Sequence, residues 1–199
     1  MRRNGVGNEQ TDAYLRITVS RGAGEIGLDP GLCPRATVVI MAKPLHPSPP
    51  VLSRDGVSLT VANTRRNLPE ALSPQIKSTN FLNNILAKRE SIAAGTFDSL
   101  FLNWKDELTE CTVSNLFFIS GKTLHTPALD CGILDGITRT IVMTLAQEEG
   151  VPVREGHYHL ADLQRAEECF LTNTSMEIMP VNRVDSFTIG DGRPGWHIE

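Results

Sequence analysis

The sequence has no apolar run near the ~18–20 residues that a membrane-spanning helix needs. Its opening, MRRNGVGNEQ, also lacks the apolar stretch of a secretory signal. A cytoplasmic setting without a membrane partner is the expectation. Positive charge is not in excess either: 19 Lys and Arg face 23 Asp and Glu, for a net charge of −4, and the basic residues are scattered. That balance argues against a nucleic-acid groove and leaves small anions at a local site as the charged partners to expect. Cysteine is sparse. Cys33, Cys111, Cys131 and Cys169 form no CxxC or Cys/His ligand spacing and read as ordinary reduced thiols. His157 and His159, in HYH, are ligand-capable on one face of a strand, but no second ligand pair lies nearby in sequence. They read as surface or core histidines, and no metal is expected. What remains is ordinary globular composition, 40% hydrophobic and 21% charged over 199 residues, enough to bury a core in one domain or in one domain with a smaller piece attached.

Along the chain, AYLRITVSRG (13–22) alternates polar and β-branched residues, GAGEIGLDPGLCP supplies turn residues, and ATVVIMA follows as a second strand. Pro44, Pro47, Pro49 and Pro50 crowd the stretch KPLHPSPPVLSRDG, which reads as a linker because proline stiffens the chain and cannot donate to a sheet. A domain boundary is expected near residue 50. Beyond it, VSLTVANTRRN is strand-like, and NFLNNILAKRESIAAG has helical period, with Phe81, Leu82, Ile85 and Leu86 on one face and Gly95 to end it. SLFLN and TVSNLFFISG read as strands, and GKTLHTP closes a hairpin. A second helix is expected from about Thr138 to Glu149, ahead of Gly150. The strand VPVREG, a short helix ADLQRAEE, and the strands ECFLT, IMPVNRV and SFTIG complete a mixed α/β pattern without internal repeats.

Four places are polar or glycine-bearing within apolar surroundings. Lys77, in SPQIKSTNFLNN, precedes the first long helix; a desolvated lysine amine has a lowered pKa and forms Schiff bases, whereas a solvated loop lysine is the commoner case. Glu110, in LTECTVSNLFF, sits at the mouth of an apolar strand, suited to pair with a cationic ring nitrogen or to serve as an edge charge. In LDGITR, Gly136 precedes a helix whose first N–H groups suit a phosphate, as does any such helix start. LTNTSMEIMP turns at a strand end through Asn, Thr and Ser, fit for an anion or for plain turn chemistry.

Taken in order, IKSTNFLNNILAKRE, FLNWKDELTECTVSNLFF, LHTPALDCGILDGITR, AEECFLTNTSMEIMPV and IGDGRPG resemble the class IV, or fold-type IV, pyridoxal-phosphate enzymes over roughly residues 12–195. That group includes branched-chain and D-amino-acid aminotransferases and aminodeoxychorismate lyases. The resemblance implies the large domain of that fold, a β-rich pseudo-barrel flanked by helices, over 56–199. It also implies a linker over 46–55 and a remnant of the small N-terminal domain over 1–45. Lys77 becomes the lysine that binds pyridoxal 5′-phosphate covalently and shuttles a proton, since the chemistry needs an amine that is both leaving group and base. Glu110 becomes the carboxylate on the pyridine nitrogen. Leu134, Gly136, Ile137 and Thr138 fall where the family holds the cofactor and its phosphate. Asn173 and Thr174 join them, and the Thr174 hydroxyl also reaches the phosphate. Thr174, Ser175 and Met176 fall in the turn facing the substrate carboxylate, and Tyr14 and Arg16 match a Tyr-x-Arg pair of the branched-chain substrate pocket.

Three departures accompany the match. Phe81 stands where branched-chain enzymes usually carry a tyrosine beside the cofactor ring, so one hydrogen bond to the ring hydroxyl is absent. No residue of MRRNGVGNEQ matches the arginine that the family's small domain brings to the phosphate, and GDGRPGWHIE ends where the family runs on into a final helix. The sequence is therefore expected to be shortened at both ends. The implied activity is amino transfer between an amino acid, branched-chain or similar, and a 2-oxo acid, in a homodimer. Pyruvate elimination by an aminodeoxychorismate lyase, or a catalytically silent domain, are the alternatives.

Overall fold

Two units, divided between Pro47 and Ser48, make up the computed structural model, which describes residues 12–195. The expectations resting on MRRNGVGNEQ and on the final WHIE lie outside the described residues. In the first unit, β1 (Ala13–Ser20) and β2 (Thr37–Pro44) form an antiparallel ribbon in continuous register from Ala13 opposite Pro44 to Ser20 opposite Thr37. A polar plug organises the connection: the Arg21 guanidinium donates to the carbonyls of Gly27, Leu28 and Asp29, and the Asp29 carboxylate accepts from Gly31 N–H at 2.8 Å. Two strands alone bury little. Leu15, Ile17, Val19, Val38 and Ile40 are all exposed.

The second unit opens with α1 (Pro50–Asp55), inside the stretch read as linker. Pro50 occupies the first helical turn, where the missing N–H is no loss, so a proline-rich run starts this helix. Then come β3 (Val57–Val61), α2 (Leu82–Ala94), β4 (Asp98–Leu102), β5 (Leu108–Cys111), β6 (Asn115–Ser120) and β7 (Thr123–Pro127). They are followed by α3 (Ile137–Glu148), β8 (Val153–Gly156), α4 (Leu160–Gln164), β9 (Glu168–Asn173), β10 (Glu177–Val184) and β11 (Phe187–Thr188). The segment TVSNLFFISG is thus a tight turn plus β6, with β5 before it, and α4 stops at Gln164 so that Glu168 can enter β9. Among the described residues no helix is long and apolar enough to cross a membrane.

Strand order explains the core. The sheet runs β11-β10-β3-β4-β5-β6-β7-β8, and β9 pairs with both β10 and β6, which closes β10, β3, β4, β5, β6 and β9 into a six-stranded barrel. Closure removes the edges that an open sheet would leave unpaired. Alternate residues then face inward or outward. Leu116 and Phe118 join Leu59, Leu100, Leu171, Met179 and Val181 in the main core, whereas Phe117 and Ile119 pack with Phe170 beneath Val142, Met143 and Ala146 of α3. This two-sided burial is why LFFI is apolar at every position.

Helix α2 departs from its expected packing. Leu82, Ile85 and Ile92 are exposed, and the side turned to the sheet carries Ala87 and Ser91, both fully buried. Small residues permit close approach, and Ser99 Oγ donates to the Ala87 carbonyl at 2.7 Å across the contact. Gly95, at φ +66°, ends the helix in the left-handed conformation that glycine adopts without a Cβ penalty.

Candidate active site

Glu110 is the electrostatic centre of the second unit. It lies on β5, with 7% of its side chain exposed. One oxygen accepts from Arg66 Nη2 at 2.5 Å, and the other accepts from Leu134 N–H at 3.0 Å and Asn115 Nδ2 at 3.2 Å. Burial pushes its pKa up to about 7, against the opposing pull of the Arg66 charge, the Leu134 N–H and the Lys77 charge. The result is a buried carboxyl that takes up and releases a proton near neutrality.

This shift fixes a pH dependence. The folded-state pKa lies above the ordinary carboxylate value, so Glu110 contributes stability at low pH that is lost as pH rises from about 4.5 through about 7. Urea unfolding at a series of pH values checks it: between those limits the wild type is expected to lose stability relative to Glu110→Gln, whose amide does not titrate.

Arg66 carries the other half of the pair. Its backbone N–H joins the Leu102 carbonyl at 3.0 Å, and its side chain runs over the Phe101 ring to Glu110. Nε donates to the Gly132 carbonyl at 3.2 Å, while Nη1 lies 3.4 and 3.5 Å from Asn83 Oδ1 and Asn84 Oδ1. The two asparagines belong to α2 and are held in turn by Arg65 O and Thr112 O. One guanidinium therefore ties α2, β5 and the loop after β7 to one another.

Lys77 lies in the segment between β3 and α2, just beyond a turn closed by Ile76 N–H on Ser73 O at 3.1 Å. It is exposed. The desolvation considered from sequence is therefore not present in the chain by itself, and what links Lys77 to the site is its charge, which acts on Glu110. Phe81, 42% exposed, precedes α2, and its carbonyl accepts from Ile85 N–H.

Leu134, Gly136, Ile137 and Thr138 form the approach to α3. Gly136 is the N-cap, and the first N–H groups of the 12-residue helix, starting with Ile137, have no partner within it. A Cβ on Gly136 would lie 2.1 Å from Asn115 Oδ1, so only glycine lets the helix start come this close to the side chain that also bonds Glu110 and the Leu134 carbonyl. Arg139, one residue beyond Thr138, is buried, paired with Glu155 and Asp135 and bonded to the Pro127 carbonyl. It anchors the helix start to β7 and β8.

The turn between β9 and β10 sits against the same strand ends. Asn173 Oδ1 accepts from the N–H groups of Ser175 and Met176, both at 2.9 Å, and Asn173 Nδ2 donates to Val113 O at 3.3 Å. Its amide is thus engaged in shaping the turn. Thr174 and Ser175 are exposed, and Met176 packs on the main core. The structure thereby connects Lys77, Glu110, Leu134 and Gly136 through shared bonds and charge, with the Asn173–Met176 turn tied to the β5–β6 turn. Tyr14 and Arg16 lie on β1 of the first unit, where the Lys43 ammonium sits 4.9 Å from the centre of the Tyr14 ring.

Residues 1–184 match the family described as amino-transferase class IV. The chain belongs to the class IV aminotransferase family. A relative from Methanocaldococcus jannaschii, provisionally assigned as a branched-chain-amino-acid aminotransferase, is 39% identical over 188 residues, covering 94% of this chain and 64% of the relative. The aminodeoxychorismate lyase of Bacillus subtilis is 33% identical over 179 residues, covering 90% of this chain and 60% of the lyase. Among solved structures, the branched-chain amino acid aminotransferase of Escherichia coli superposes with a TM-score of 0.88. It is 29% identical, with 94% of this chain and 62% of that chain covered. This class IV chain therefore spans less than two thirds of the length of these relatives.

Sequence reasoning missed Arg66, Asn115 and the asparagines of α2. The signal was present but unspecific: TRRN places two adjacent arginines at the end of a strand, where one must turn toward the sheet, and Asn115 interrupts an apolar strand start.

Proposed function

We propose that this class IV aminotransferase uses pyridoxal 5′-phosphate to move an amino group between an amino acid, branched-chain or similar, and a 2-oxo acid. The observation that carries the reading is Glu110: a buried carboxyl, poised near pH 7 and locked by Arg66, Leu134 and Asn115, with a lysine charge reaching it.

The residues fit the cofactor. Glu110 offers a buried acceptor for a protonated ring nitrogen, and the Gly136–Thr138 helix start offers free N–H groups to a phosphate, close against Asn115. Exposed Lys77 offers an amine within electrostatic reach of Glu110. When bound, pyridoxal phosphate supplies an electron sink for the pair of electrons left at Cα when its proton departs. The chain's own residues do the rest. Lys77 Nζ would hold the cofactor and would accept and return the substrate's Cα proton. Glu110 would accept from a protonated ring nitrogen, and Arg66 orients Glu110 while its charge favours the ionised carboxylate. Thr174 and Ser175, exposed on their turn, are proposed to meet the phosphate and the substrate carboxylate, and Tyr14 and Arg16 are proposed to bind substrate. A homodimer in the cytoplasm is the setting proposed with this activity.

The 33%-identical lyase favours a second reading, elimination of pyruvate from aminodeoxychorismate by the same lysine and electron sink. A direct comparison decides. With saturating pyridoxal phosphate, amino transfer from branched-chain amino acids to 2-oxoglutarate is expected, without pyruvate release from aminodeoxychorismate. Pyruvate release alone would establish the lyase reading, and the absence of both would leave a silent domain.

A further inference from the structure

A second polar cluster includes a residue of the β7–α3 loop that also carries Leu134. Glu107 (residue before β5), Cys131 (in the turn Leu129–Cys131) and His157 (after β8) each offer one ligand atom, all within 4.8 Å of one another. His157 Nδ1 is 3.1 Å from Glu107 Oε1 and 3.5 Å from Cys131 Sγ. We infer that Glu107, Cys131 and His157 bind one divalent cation of the zinc class, with the fourth position open to water on the exposed side of His157.

Geometry is the first support. Zinc bonds of about 2.3 Å to sulfur and about 2.1 Å to nitrogen or oxygen, at tetrahedral angles, put S···N at about 3.6 Å and N···O at about 3.4 Å. The structure holds the same donors at 3.5 and 3.1 Å. The N···O edge would expand slightly, and the third edge, from Cys131 Sγ to a Glu107 carboxylate oxygen, lies within 4.8 Å and would close toward about 3.6 Å.

The second support is the orientation of the imidazole. Its other nitrogen, Nε2, faces Asp130 Oδ2 at 3.3 Å. A proton on Nε2 donated to that carboxylate leaves the Nδ1 lone pair pointing at the Glu107 carboxylate and the Cys131 sulfur, the arrangement in which a carboxylate orients a metal-ligating histidine. Glu107 is itself held: Asn103 Nδ2 donates to Oε2 at 2.6 Å, which leaves Oε1 directed at the cluster.

The charge pattern argues against the alternative use of a thiol beside an imidazole, a nucleophilic cysteine. Cys131 is buried, with a Glu107 carboxylate oxygen within 4.8 Å of its sulfur, surroundings that do not favour a free thiolate. As a thiol it donates to the Gly156 carbonyl at 3.7 Å. Two carboxylates that disfavour a bare thiolate favour a cation, which displaces the thiol proton and neutralises the set. The three donors come from places far apart in sequence, His157 lying 26 residues from Cys131 and 50 from Glu107, which is why the sequence reading expected no metal. The proposal stands apart from the amino-transfer reading, because none of the three ligands is assigned to the cofactor.

Cobalt(II) tests it on the purified full chain, stripped with a chelator and titrated without pyridoxal phosphate. One equivalent is expected to give a thiolate-to-cobalt charge-transfer band with tetrahedral visible bands, and zinc is expected to displace it. Cys131→Ser should abolish the charge-transfer band, and His157→Ala, at an exposed position, should weaken binding at least ~10–100-fold, the range known for lesser, outer-shell losses. Absence of a thiolate band in the wild type would overturn the site. So would a band of unchanged intensity and affinity in His157→Ala, which would place the metal on another cysteine.

Discussion

Replacing Arg66 by methionine is expected to destabilise the protein by about 3–5 kcal/mol at pH 9, the cost of leaving a buried charge without its partner. Both side chains of the pair are more than nine-tenths buried, and methionine fills the space over the Phe101 ring without supplying a donor to Glu110 or to the Gly132 carbonyl. The size of the loss depends on pH. Glu110 already titrates near 7 with Arg66 present, so without that cation it escapes by taking up a proton, and the deficit is expected to be smaller at pH 6 than at pH 9. Urea unfolding at the two pH values measures both. An equal loss at each pH would mean that packing, rather than charge, is what Arg66 contributes.

Alanine at Lys77 is expected to have the opposite profile: no measurable change in stability and, under the proposed function, a loss of amino transfer of about 100- to 10,000-fold, the usual range for a positioned proton carrier. Lys77 is exposed and contacts Glu110 only through its charge, so nothing in the fold depends on it. Denaturant unfolding and initial-rate kinetics on the same preparation separate the two effects. A variant that retained full turnover would show that another group carries the proton. A variant that lost stability would show that the lysine has a packing role that its exposure does not indicate.

Much of the strand and helix pattern was legible because local chemistry determines it. Alternation marked the strands, and Gly95 marked the end of α2. The closing of the barrel was not derivable from periodicity, because it depends on β10 lying parallel to β3, at the opposite end of the unit in sequence, and on β9 pairing on both sides. That architecture entered only through family resemblance. The α2 surface shows the limit of a hydrophobic stripe: Leu82 and Ile85 are apolar, yet close packing on the sheet selected the small side, Ala87 and Ser91. Pro50 shows the same limit for composition, since a proline run can read as a linker and still begin α1.

The candidate site divides along similar lines. Glu110 and Gly136 carried a signal in sequence, an acid in an apolar strand and a glycine ahead of a helix, and the structure joins them through Asn115 and Leu134. Arg66 was hidden because a single arginine in TRRN cannot be told from its neighbour; Arg65 pairs with exposed Asp106 on the surface, and Arg66 turns inward. His157 and His159 separate in space. His159 caps α4 and its Nδ1–H donates to the Asp106 carbonyl, while His157 joins Glu107 and Cys131. The groups that meet His157 lie far from it in sequence, so proximity along the chain could not show them.

The central claim is that Lys77 is the residue this chain offers to pyridoxal phosphate. Incubating the purified protein with the cofactor, reducing with borohydride and mapping peptides by mass spectrometry tests it most directly, with Lys77→Ala as control. The account predicts one phosphopyridoxyl group, on Lys77, absent from the variant. A folded protein that acquires none, or that is modified equally at scattered surface lysines in both proteins, would contradict it.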